Sequence, residues 1–392
     1  MRTYRELFAS PEFTPLFAAA TAHSAATTVS GLALSTLVYT ATGSPLLSAL
    51  SMFGPSLVQV VGATTLLSAA DRLPPRAATA GLALASAAGT AALATPGLPG
   101  WAGVLVVVAL GLVASVGGGV RHGLLGEILP RDGYLIGRSV LNMTSGTMQV
   151  LGFAAGAALV AGLSARGTLL TGAALHLTAA AVAYLRLSPR PPRAQGRPSV
   201  AQTWRTNARL WSSPPRRYVY LALWVPNGLI VGCESLFVPY TPQNAGVLLS
   251  VAALGMLAGD TVTGRFLSAA WRRRLEPFLR LLLAVPYLVF LLDPAFPVVA
   301  AAVLVASYGY SATLLLTERL MALTPGDMQG QALGLHSSGM LAMQGVAAAL
   351  AGTVAQHTSP ATGMAVMAAA SIAVTLALAP ALRTAAPKTG AL

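Results

Sequence analysis

Apolar runs dominate this chain, and they are long. A window of about 19 residues moved along the sequence finds spans near 13–40, 45–70, 77–96, 101–126, 138–163 and 167–187. A second series follows near 217–240, 243–264, 275–293, 296–320, 330–355 and 359–383. Each is long enough to cross about 30 Å of hydrocarbon as a helix. None shows the alternating pattern of an outer-membrane strand, about ten residues long. Proline and glycine signals such as Gly43-Ser44-Pro45, Thr95-Pro96-Gly97 and Asp293-Pro294 fall between spans and end helices there. The pattern predicts an all-α integral membrane protein with twelve transmembrane helices.

Composition agrees with lipid as the solvent. Of the 392 residues 55% are hydrophobic and only 9% charged, and the mean hydropathy is +0.68. A soluble chain of this size needs far more charge at its surface. The 39 glycines suit helices that pack through small residues. Arg2 and Arg5 ahead of an apolar run mimic a signal peptide, but further spans follow at once, so the run reads as a retained first helix.

A net charge of +13 in a soluble protein would suggest nucleic acid. Here the basic residues lie in the gaps between spans, so topology accounts for them and no nucleic-acid partner is expected. With the amino terminus in the cytoplasm, every one of the 24 lysines and arginines except Arg166 falls on the inner side. Both termini are therefore expected to be cytoplasmic, in a cell membrane whose anionic headgroups meet the basic loops. Lys388 is the single lysine, a bias that reads as a GC-rich bacterial genome. Cys233, the single cysteine, excludes an internal disulfide and any cysteine metal cluster.

The longest polar segment divides six spans from six. It predicts an amino-terminal bundle over 1–187, a basic cytoplasmic linker over 188–216 and a carboxy-terminal bundle over 217–392. Within the linker, Ser199 can cap a short helix with Val200, Trp204, Ala208 and Trp211 on one face and Arg205 and Arg209 on another. Such a helix can lie in the membrane interface; a solvated basic linker is the other reading. The halves also echo each other. Asp71 and Arg76 share the spacing of Asp260 and Arg265, and Pro130 with Pro325, and Met148-Gln149 with Met343-Gln344, are separated by about half the chain.

After the second span the sequence reads Leu67-Ser68-Ala69-Ala70-Asp71-Arg72-Leu73-Pro74-Pro75-Arg76. It resembles the loop signature of the major facilitator superfamily, Gly-x-Leu-Ala-Asp-Arg-x-Gly-Arg-Arg, through Asp71, Arg72 and Arg76. Leu67 and Pro74 stand where the family has glycine, and Pro75 where it has arginine. Span count, orientation, central loop and repeat extend the resemblance over the whole chain. It implies the major facilitator fold of two six-helix bundles, with Asp71, Arg72 and Arg76, and their repeats Asp260 and Arg265, at a cytoplasmic gate. A basic topogenic loop with an incidental aspartate is the alternative. In the fifth span, Gly152-Phe153-Ala154-Ala155-Gly156 resembles the Gly-Pro-x-x-Gly signature of drug/proton antiporters, with Phe153 in place of proline. As a face of small residues it also permits close helix packing.

The resemblance further implies that the first, fourth, seventh and tenth spans line a cavity. On them stand His23; Arg121 and His122; Trp224, Asn227 and Glu234; and Tyr308, Tyr310, Glu318 and Arg319. Ionisable groups in a span cost several kcal/mol if they face lipid, so they turn to a cavity or a partner. Glu234 lies roughly 9 Å beyond the middle of its helix at about 1.5 Å per residue, too deep to reach the inner surface. Trp224 and Asn227 share its face. Glu234 is the candidate for carrying a coupling proton, with a structural carboxyl between helices as the other reading. His23 can bind substrate, carry a proton or bond a neighbouring helix. Arg121 and Arg319 occupy matching inner positions and can reach either a substrate or the headgroups.

No phosphate loop, zinc-protease motif or nucleophile elbow is present; Gly162-Leu163-Ser164-Ala165-Arg166 lacks the closing glycine of the last. The expectation is a non-enzyme without cofactor or metal: a secondary transporter, monomeric by default, of proton-coupled efflux type, moving a small organic molecule by alternating access. A transport-inactive structural or sensory protein on the same fold is the alternative, and vesicle transport assays discriminate the two.

Overall fold

Proline opens several of the helices. In the computed structural model, which describes residues 4–192 and 200–384, Pro45, Pro75, Pro214 and Pro360 each occupy the first helical position. There the missing N–H costs nothing and the fixed φ is already helical. Gly43 closes the helix before Pro45 in the left-handed region (φ 63°), donating its N–H to the Tyr39 carbonyl at 2.8 Å.

The helices are α1 (Tyr4–Phe8), α2 (Phe13–Thr42), α3 (Pro45–Arg72), α4 (Pro75–Leu93), α5 (Gly100–Ile128), α6 (Arg131–Arg186), α7 (Val200–Ser212), α8 (Pro214–Glu234) and α9 (Phe237–Tyr240). They continue with α10 (Ala245–Thr261), α11 (Ala269–Leu282), α12 (Phe296–Tyr308), α13 (Ala312–Ala322), α14 (Gln329–His357) and α15 (Pro360–Thr384). No strand occurs among the described residues. Nine stretches among them are long and apolar enough to cross a bilayer. The Ala-, Ser- and Thr-rich helices α2 and α4 are not in that set.

Several of the expected spans differ in form from simple helices. The fifth and sixth run on as one element, α6, broken at Ser164, whose backbone (φ 74°, ψ 165°) is not helical. The ninth is α11 followed by a 3-10 segment, Val285–Leu292, because Pro286 cannot continue an α-helical ladder. A π-helical turn, Val262–Phe266, ends the eighth. The linker carries the helix α7; Ser199, its expected cap, lies outside the described residues, as do the side chains of Asp71 and Arg72.

Large apolar side chains such as Trp101, Leu105, Leu151, Leu177 and Leu292 are exposed, while alanines such as Ala26, Ala33, Ala183, Ala347 and Ala368 are buried. This inverts a soluble core. In lipid, leucine gains little by turning inward, and small residues let helices approach. The Gly152 and Gly156 face of α6 does so against α2, where side chains would press on Thr28, and on Val29 and Leu32.

Packing divides the chain into two units. One comprises Met1–Gly43, Gly54–Pro198 and Pro242–Ser250, the other Ser44–Phe53, Ser199–Thr241 and Val251–Leu392. In the first, α2 lies along α6, and Phe13, Leu16, Leu124, Leu125 and Leu187 form the main cluster. In the second, α8 packs on α14 and α15 around Val219, Tyr220, Leu223, Leu316 and Leu320.

Candidate functional site

Within the first unit α2, α5 and α6 gather basic side chains. His23 of α2 and His176 of α6 hold their rings 5.1 Å apart. Arg121 of α5 lies in electrostatic range of His23 and of His122. His122 donates from Nδ1 to the Gly118 carbonyl at 2.9 Å, which fixes its tautomer. His176 is 4% exposed and its Nδ1 is buried without a partner, as is the Ser30 hydroxyl. No carboxylate pairs with Arg121 among the described residues.

The second unit gathers acids and phenols. Glu234 is the last residue of α8, half-buried, with Tyr287 and Tyr310 in electrostatic range. Asp260, in the last turn of α10, stands in range of the same Tyr310, and its Oδ1 is buried without a partner. Asn227 donates to the Leu223 carbonyl at 3.0 Å and to the Thr313 hydroxyl of α13 at 3.1 Å. Thr263 donates to the Ser311 hydroxyl at 3.1 Å beside this group.

Trp224, Asn227 and Glu234, expected on one face, serve different neighbours. The Trp224 ring stacks on Trp211 of the linker helix at 5.6 Å and meets the Tyr220 ring at a tilt of 31°, 5.0 Å away, so it braces α7 against α8. Arg121 and Arg319, matched in sequence, also part company. Arg319 donates to the Leu382 carbonyl, while Arg121 has no such acceptor among the described residues. Of the expected gate residues, Arg76 lies 4.6 Å over the Tyr184 ring, and Arg265 is exposed on the π-helical turn. No ion pair joins Asp260 to Arg265 among the described residues.

One charged group escaped sequence reasoning. Arg190, just beyond α6, forms an ion pair with Glu12 at the start of α2 and another, at 3.5 Å, with Glu127 near the end of α5. The Ser188 N–H also donates to Glu12 at 2.7 Å. Burial pushes the Glu12 carboxyl up, but the hydrogen bonds from Ser188 and Arg190 outweigh it and hold the group below its ordinary 4.5. Nothing in the spacing of residues 12, 127 and 190 announces that three chain segments meet there.

No protein-family model matches the sequence, and no curated protein matches it. Solved structures do match. A POT family transporter in complex with a thioalcohol-conjugated peptide superposes with a TM-score of 0.75 at 11% identity, covering 96% of each chain. A bacterial homologue of the human lysosomal transporter Spinster, in an inward-facing and unoccupied conformation, gives 0.72 at 13% identity over 98% of this chain and 97% of that one. The nucleoside transporter NupG gives 0.72 at 12% identity over 94% and 99%. The chain therefore has the fold of these transporters, an all-α multi-pass membrane fold of the major facilitator type.

Proposed function

We propose that this protein is a secondary active transporter that moves a small organic molecule across the cell membrane by alternating access, coupled to protons and working in export. The observation that carries the reading is Glu234, an ionisable carboxyl inside a membrane span with Tyr287 and Tyr310 in electrostatic range, on a fold shared end to end with transporters. A charge left unpaired in such a place is costly, so a carboxyl that binds a proton on one side and gives it up on the other suits coupling. Asn227, held by its own helix and by Thr313, and His23 and Arg121 supply polar surface for the cargo. The resemblance of Gly152 to Gly156 to the antiporter signature supports export.

In this reading 1–187 and 217–392 are the two bundles, 188–216 the cytoplasmic linker, and both termini face the cytoplasm. Asp71, Arg72 and Arg76, with Asp260 and Arg265, belong to the gating loops, and the monomer suffices. The test compares compound retention in cells with and without the gene, then repeats any difference in reconstituted vesicles under an imposed pH gradient. Transport that follows the gradient supports the reading. Identical retention in both cell types across a broad compound set, with no gradient-driven flux, would leave a structural or sensory role.

A further inference from the structure

Arg121 is the one arginine of α5, seven residues short of its end, hence roughly 10 Å inside the helix terminus at 1.5 Å per residue. A guanidinium keeps its proton at physiological pH, so its charge has to be met by something. Several other arginines of the fold each have at least one oxygen acceptor. Arg319 has the Leu382 carbonyl, Arg280 has the Thr375 carbonyl and Glu276, and Arg190 has Glu12 and Glu127. Arg121 has no counterpart among the described residues. Its neighbours, His23, His122 and beyond them Arg138, add no negative charge.

The same place holds a second unmet demand. His23 lies in electrostatic range of Arg121 on one side and His176 on the other. His176 is almost fully buried with Nδ1 unpartnered. Buried polar atoms are nearly always satisfied, yet among the described residues neither the Arg121 guanidinium nor the His23 ring has a side-chain hydrogen-bond partner, and the buried His176 ring backs His23 at 5.1 Å. Arg121 and His23 are themselves only half-buried, which leaves the row reachable. A ligand oxygen anion supplies what is missing: charge for the guanidinium and an acceptor for an imidazole N–H.

We infer that Arg121 and His23, the latter backed by the buried His176, bind the anionic group of the transported molecule, which makes the substrate class a small organic anion carrying a carboxylate or phosphate. The planar fork of arginine suits both groups through paired hydrogen bonds. This rests on the transport reading above for the word substrate, but binding at the row does not. A lipid headgroup offers the same phosphate chemistry, so the experiment separates the two sources.

The protein is purified in neutral detergent and reconstituted in phosphatidylcholine. The probes are two fractions of a small-molecule cell extract, one retained on an anion exchanger and one not, and, separately, phosphatidylglycerol. The retained fraction should raise the unfolding temperature of the wild type and leave Arg121→Gln unmoved, with Arg121→Lys between. Arg319→Gln, which loses a carbonyl contact instead, should unfold earlier yet keep its response. In vesicles, species that accumulate should come from the retained fraction, and Arg121→Gln should lower their uptake by at least about tenfold. Stabilisation without uptake would keep the binding assignment and sink the transport reading. Response to the unretained fraction alone, an equal response in Arg121→Gln, or response only to phosphatidylglycerol would overturn the inference.

Discussion

The two units answer the same problem, polar groups inside a membrane, with opposite signs. In the first unit the group is cationic and imidazole-rich: Arg121, His23, His122 and His176. In the second it is carboxyl and phenol: Glu234, Asp260, Tyr287 and Tyr310. Ion pairs are the usual way to make intramembrane charge tolerable. Here the ion pairs among the described residues sit elsewhere: Glu12 and Glu127 on Arg190, Glu276 on Arg280, and Glu318 on Arg272. The chain has kept its central polar groups out of those pairs. A residue already paired has no need of a proton or a ligand, and these two clusters retain that need.

If the second unit's cluster handles protons, its largest effect is on energy coupling. Glu234→Gln keeps size and hydrogen bonding but cannot ionise, so gradient-driven accumulation should vanish while exchange at zero gradient survives. One proton crossing 100 mV supplies about 2.3 kcal/mol, enough by itself for roughly a 50-fold gradient of cargo moving one per proton, before the charge the cargo carries is counted. A pH jump on reconstituted vesicles reads the loss. Uphill accumulation at the wild-type rate by the Gln variant would make Glu234 structural and pass the role to His23.

Asp260 tests where the cluster stops. Its sequence repeat with Asp71 puts it at a gate beside Arg265, whereas its side chain shares Tyr310 with Glu234. Asp260→Asn, Arg265→Gln and Asp71→Asn separate the two roles. Gate residues shift the balance of inward- and outward-open states, a coupling of about 1–3 kcal/mol, or 5- to 150-fold. In that case all three variants should lower turnover alike. If Asp260 works with Glu234, Asp260→Asn should displace the pH profile of transport and the other two should not.

Much of this was legible in the sequence, and the failures are instructive. Hydropathy put the span edges within a few residues: the spans expected to start near 45, 77, 217 and 359 open at Pro45, Pro75, Pro214 and Pro360. The break at Ser164 was harder, since no proline or glycine occupies the position that leaves the helix. Polar residues inside spans were visible one by one, but their partners were not. Helical periodicity put Trp224 on the face of Glu234, while packing turned its ring to Trp211. Repeat symmetry equated Arg121 with Arg319, and only the three-dimensional neighbours distinguish a guanidinium that has a carbonyl acceptor from one that has none among the described residues. The Glu12, Glu127 and Arg190 group was invisible because nothing local links an entry loop, a helix end and a linker.

That group also supplies the smallest effect and a control for the comparison, since its charges are already paired and should serve stability alone. The folded protein holds Glu12 below its ordinary 4.5. The contribution is therefore complete above that value and lost as the pH falls through the lower value of the folded state. Both Glu12 and Arg190 retain some solvent access, with side chains 15% and 24% exposed, which keeps the pair near the upper end of the surface range, about 1 kcal/mol or less. Glu12→Gln should lower the unfolding temperature slightly at neutral pH and flatten its decline in acid, with transport coupling and anion response unchanged. Unfolding in detergent followed from pH 7 down to about 3 measures this. A changed coupling ratio in this variant would show that paired charges at the bundle end take part in transport, and the distinction between paired and unpaired groups would fail with it.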